Sequence, residues 1–198
     1  MFKLDPKARA NFSPGTVYAI SVDGKIYYGQ ISNHTPIGFF KLRTIELLEF
    51  EDVLNYPVMS QFIIERPSVG RALRKGVWKN IGKGQIHEDL KQPRPCVQWP
   101  VGELTVSVWL DGKVIAQTSV FDPDIQSYEI ISAYDAIYHA PRRLKVDYED
   151  DTTDYEFGGT VWRSRKQKEE LARRFPNLKH HQLPANWVYT EDTPQQTP

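Results

Sequence analysis

Thr16-Val17-Tyr18-Ala19-Ile20-Ser21-Val22-Asp23-Gly24-Lys25-Ile26-Tyr27-Tyr28-Gly29-Gln30-Ile31 reads as two β-rich runs folded about one turn. Asp23-Gly24 supplies the two positive φ angles of a type I′ hairpin turn, whose twist matches that of the flanking strands. A two-residue loop pairs Val22 with Lys25, and so sets Ile20 opposite Tyr27 and Tyr18 opposite Gly29. The Tyr18 ring is then expected to cover the bare backbone of Gly29.

The same chemistry recurs downstream. Leu104–Trp109 and Val114–Val120 flank Leu110-Asp111-Gly112-Lys113, a register that puts Trp109 across from Val114 and Val108 across from Ile115. Between the hairpins, strands are expected at 38–48, 58–65 and 77–81, with short helical segments at 51–55 and 67–75, the latter stopped by Gly76. Ile131, Tyr134 and Tyr138 stand at helical spacing, predicting a helix over 128–139 that Pro141 ends. A last helix is expected with Ser164 as N-cap and Gln167 completing a capping box. Glu169–Arg173 and Glu170–Arg174 form its ion pairs, Leu171 and Phe175 its apolar stripe, and Pro176 its end. The fold class is α+β, a mostly antiparallel twisted sheet with two Asp-Gly hairpins and a few short packed helices. Residues 1–12 read as a flexible N-terminus, 13–189 as a single domain, and 190–198 as a mobile tail.

Composition narrows the function. The chain has 198 residues, 40% hydrophobic and 12% aromatic, enough for one core without staples. Cys96 is the only cysteine, so one chain can form neither a disulfide nor a cysteine zinc cluster. Together with a charged, polar start (Lys3, Asp5, Lys7, Arg9) and no long apolar run, this predicts a cytoplasmic protein with no membrane association. The zero net charge argues against direct nucleic-acid binding, which needs a basic surplus. It averages a first half at +5 and a second at −5.

The residues hold little reaction chemistry. His34, His87, His139, His180 and His181 include no i,i+4 pair of a helical zinc site. His139 reads as a helix-end histidine complementing the C-terminal dipole. No Gly-x-Ser-x-Gly elbow or phosphate loop is present, and Gly82-Lys83-Gly84 reads as a turn. Cys96 reads as core filler. No cofactor, metal or catalytic residue is therefore expected. The strongest local signal is the acidic run holding Asp147, Tyr148, Glu149, Asp150, Asp151, Asp154 and Tyr155. Read as a solvated loop it is only surface. Read as a docking patch, its carboxylates steer a basic partner and its tyrosines anchor it. Two other classes stay open: a small hydrolase using His139 or a carboxylate pair of 147–156, and a β-barrel stacking bases on Tyr18, Tyr27, Tyr28 and Phe39.

Pro14-Gly15-Thr16-Val17-Tyr18-Ala19-Ile20 followed by Tyr27-Tyr28-Gly29-Gln30-Ile31 resembles the opening of the bacterial immunity protein family 26. Val77-Trp78-Lys79-Asn80-Ile81-Gly82, the stretch 90–95 and Arg142-Arg143-Leu144 resemble later pieces of it, in the same order. Thr16 departs from the acidic residue the family pattern has there, and 148–198 extends beyond the matched part. The resemblance implies a non-enzymatic intracellular antidote that neutralises a cognate polymorphic toxin domain by direct binding.

Overall fold

The computed structural model describes residues 1–149 and 158–192. Its strands are β1 (Thr16–Val22), β2 (Lys25–Ile31), β3 (Ile37–Thr44), β4 (Val58–Ile64), β5 (Trp78–Lys83), β6 (Cys96–Gln98), β7 (Thr105–Leu110), β8 (Lys113–Ser119), β9 (Glu129–Ile130) and β10 (Ala133–Tyr134). Its α-helices are α1 (Phe50–Val53), α2 (Arg66–Arg74), α3 (His139–Glu149) and α4 (Val161–Arg174). The class is α+β, with two mostly antiparallel sheets. The chain divides into two compact units where the sequence reading had one domain: Met1–Pro93 with Ser132–Asp151, and Arg94–Ile131 with Thr152–Pro198.

The first unit holds a six-stranded sheet in the order β10-β4-β3-β2-β1-β5. Asp23 (φ 49°) and Gly24 (φ 77°) make the expected turn, and Val22–Lys25, Ile20–Tyr27 and Tyr18–Gly29 are paired as expected. The unbroken apolar run of β1 is explained by burial on both faces of the sheet. Tyr18, Ile20, Tyr27, Phe39 and Phe62 pack with Val69 and Leu73 of α2 and Leu144 of α3. Val17, Ala19, Tyr28 and Phe40 pack the other way, with Val53 of α1. Gly29 is covered by Phe39 instead of Tyr18: a Cβ on Gly29 would stand 2.8 Å from Phe39 Cδ1. Tyr18 lies against Trp78, and its hydroxyl donates to Asn11 O at 2.7 Å. Residues 1–12, expected to be flexible, are thereby pinned: Phe2 N–H donates to Gly76 O, and Ala8, Ala10 and Phe12 pack on the core.

The helix expected over 128–139 is absent; α3 begins where that reading ended. Glu129–Ile130 and Ala133–Tyr134 are strands, and Asp135 then accepts N–H bonds from Ile137 (2.7 Å) and Tyr138 (3.0 Å). Pro141 sits in the first turn of α3, where its missing N–H leaves no helical bond unmade. The acidic run therefore starts as helix, not loop, and His139 is the first residue of α3, not a C-terminal complement to its dipole.

The second unit carries the sheet β8-β7-β6-β9, with Val97, Val106, Val108 and Val120 packed against Ile125 and Val161 of α4. Asp111 (φ 49°) and Gly112 (φ 77°) form the second turn, and Trp109 pairs with Val114 as expected. Val108, however, pairs with Ala116, because a β-bulge makes Ile115 the extra residue. α4 starts one turn earlier than expected. Its N-cap is Thr160, whose Oγ1 accepts the Arg163 N–H at 3.3 Å, because Val161 is anchored in the core. Phe175 is 44% exposed, so the expected apolar stripe does not form; Val161 and Arg165 are the buried residues of α4. Arg174 pairs with Glu170 as expected, but Arg173 also turns to Glu170, at 2.8 Å. Glu169 instead accepts from Trp187 Nε1 (3.0 Å), Thr190 N–H (2.9 Å) and Thr190 Oγ1 (2.7 Å). Thr190, placed by the sequence reading in a mobile tail, is thus buried and bonded; 193–198 lie outside the described residues.

Candidate functional site

Asp147, Tyr148 and Glu149 form the last turn of α3, while Asp150, Asp151, Asp154 and Tyr155 lie outside the described residues. The three described side chains are bound within the first unit. Arg143 Nε donates to both Asp147 carboxylate oxygens, at 2.8 and 2.9 Å, with side-chain exposures of 3% and 6% for the pair. The same guanidinium donates to the Tyr134 hydroxyl at 2.9 Å and lies 5.0 Å from the centre of the Phe62 ring. Glu149 pairs with Arg43 at 2.7 Å. Arg43 and Lys41, both on β3, stand 4.4 and 5.0 Å from the centre of the Tyr148 ring. Lys41 Nζ also donates to Tyr148 O at 2.7 Å, placing a cation on the carbonyl end of α3, where the helix dipole favours one. Of the described carboxylates, Glu149 thus ties α3 to β3, and Asp147 is held within α3 by Arg143.

The aromatic residues of the base-stacking alternative are corrected by burial: Tyr18, Tyr28 and Phe39 are 0% exposed and Tyr27 2%. Their rings fill the core, and the ends of their sheet, β10 and β5, are not paired to each other as a barrel would require. Cys96 is half-buried, its Sγ 3.8 Å from Trp109 O, and burial, then the nearby Glu129, push its thiol up. Among the described residues, no three His, Cys, Asp or Glu side chains gather as a metal-holding group, and no helix is long and apolar enough to cross a membrane.

A different surface emerges at the end of β3. Ile45 is 72% exposed and Leu47 39%, whereas Leu48, Phe50 and Val53 of the same stretch pack into the core. The fully buried Tyr28 fixes this arrangement with its hydroxyl. It donates to Glu46 O at 3.2 Å, accepts the Leu48 N–H at 3.1 Å and lies 2.7 Å from Thr44 Oγ1. Thr44 Oγ1 donates to Glu46 O as well, at 2.7 Å. Glu46, Glu49, Glu51 and Asp52 of the same stretch are exposed, and none of them forms an ion pair among the described residues. The sequence signal was available in the alternation Ile-Glu-Leu-Leu-Glu-Phe-Glu-Asp over 45–52. Reading 38–48 as continuous strand concealed it, since β3 stops at Thr44.

Compared with models of known families, with curated proteins and with solved structures, the chain finds no match.

Proposed function

We propose that this protein neutralises a cognate toxin domain in the cytoplasm by direct stoichiometric binding, without catalysis. The observation that carries the reading is the pinned 44–48 segment. It holds two large apolar side chains in water on a backbone fixed by a buried phenol, which suits contact with another protein. The resemblance adds support through its placement. Its opening pieces are β1 and β2, and the distant piece Val77–Gly82 lies in and beside β5, which pairs with β1. Three of the five pieces that carry the resemblance thus lie in strands of one sheet.

The test is co-expression with the toxin domain encoded by the adjacent reading frame. Survival of the host and a 1:1 complex by light scattering are expected. An active toxin that still kills, with no complex recovered, would overturn the reading.

A further inference from the structure

We infer that the interface centres on Ile45 and Leu47 and receives a basic protein face, one presenting lysine and arginine around an apolar notch. This rests on the reading just proposed and names its surface and the chemistry of its partner.

Burial of the two side chains supplies the attraction. Exposed aliphatic area gains about 25 cal/mol per Å² when removed from water, and side chains at the centre of an interface carry most of such a gain. The segment needs little ordering to bind, because Tyr28 already holds its backbone on both sides of Leu47, at Glu46 O and Leu48 N–H; prior order of this kind removes part of the entropy cost of association. Charge then selects the occupant. Glu46 stands between the two apolar residues in sequence and Glu49, Glu51 and Asp52 follow them, all exposed and with no ion-pair partner among the described residues, whereas Asp147 and Glu149 are bonded to Arg143 and Arg43. A cationic face would gain from all four carboxylates and be steered toward them. Nucleic acid and anionic lipid would be repelled by them. A second copy, joined by a two-fold axis through this surface, would set the same carboxylates against each other.

The experiment measures binding of the wild-type chain and three variants to the adjacent-frame toxin domain, at 20 and 300 mM salt, alongside sedimentation of each chain alone. Ile45→Ser/Leu47→Ser changes side chains outside the core and is expected to keep the unfolding midpoint while dissociation accelerates roughly tenfold or more. Glu46→Gln/Glu49→Gln/Glu51→Gln/Asp52→Asn is expected to slow association roughly tenfold at low salt and to flatten its salt dependence. Glu149→Gln is expected to leave both rates within about twofold, its charge being already paired. If wild type binds and the first two variants match it, the inference is overturned while the function stands. Loss confined to Glu149→Gln returns the interface to the end of α3 and overturns it too. A dimer of the chain alone that Ile45→Ser/Leu47→Ser dissolves would identify a second copy as the occupant. If wild type does not bind, the function fails and this inference with it.

Discussion

Gly38 and Leu90 make one packing unit whose energetics can be worked out in advance. Gly38 lies in β3, between Gln30 of β2 and Gln61 of β4. A Cβ built on it would stand 2.2 and 2.6 Å from the two Leu90 methyls and 2.9 Å from Leu90 Cγ. All three lie far inside the roughly 3.5–4.0 Å separation of touching carbons. Leu90, 0% exposed, therefore lies directly on the bare backbone of Gly38. Gly38→Ala gains about 0.5–1 kcal/mol from the lower chain entropy of alanine but costs about 1–3 kcal/mol in overpacking, so net destabilisation near 1–2 kcal/mol is expected. Leu90→Ala leaves a cavity and is expected to cost about 2–5 kcal/mol. In the double variant the new methyl occupies part of the space that leucine vacated, which removes the clash and shrinks the cavity. Its cost should fall below the sum of the single costs by about 1–2 kcal/mol. Native-state amide exchange on β2, β3 and β4 reads these changes within the first unit alone. Additive costs, or a Gly38→Ala chain as stable as wild type, would refute the packing argument.

Two titratable groups give further tests. Burial pushes the Asp135 carboxyl up, but the N–H groups of Ile137 and Tyr138 and the Arg71 guanidinium outweigh it and hold it below the ordinary range. Its stabilising contribution is present above the unfolded value of about 3.9 and lost as pH falls through the lower folded value. The stability gap between wild type and Asp135→Asn should therefore narrow in acid; a gap constant from about pH 6 to 2.5 would refute this. For Cys96, burial and Glu129 disfavour the thiolate, so alkylation at pH 8 should be slower in the folded chain than in urea. Equal rates would refute it.

The hairpins were legible because an Asp-Gly pair determines its own backbone: both Asp residues adopt φ 49° and both Gly 77°. Local chemistry of that kind needs no knowledge of the rest of the chain. The misreadings share the opposite property. Pro141 can stop one helix or start the next, and only the docking of Tyr134 beside β4 decides which. Thr160 outcompeted Ser164 as N-cap because Val161 is required by a core built largely from residues 97–125. At the candidate surface, the acidic character of 147–149 was plain, but Arg43, more than a hundred residues earlier, pairs with Glu149, and Arg143, one turn back on the same helix, pairs with Asp147. Exposure of Ile45 had a signal in the alternation over 45–52, but the strand reading of 38–48 covered it, because the Tyr28 hydroxyl that holds the segment after Thr44 belongs to another strand.

The parallel pairing of β10 with β4 also sets a timetable for biosynthesis. Ile63 and Ile64 find their partners in Ala133 and Tyr134, and the Trp78 indole N–H donates to Ala136 O at 2.8 Å. A ribosome working at ~5–20 residues per second needs roughly 4–14 s to pass from the end of β4 to β10. During that interval the outer edge of β4 is an unpaired template for stray strands, and the central sheet waits for chain not yet made. Slower translation through residues 94–131 would prolong that exposure and lower the yield of folded protein without changing a single contact in the finished molecule.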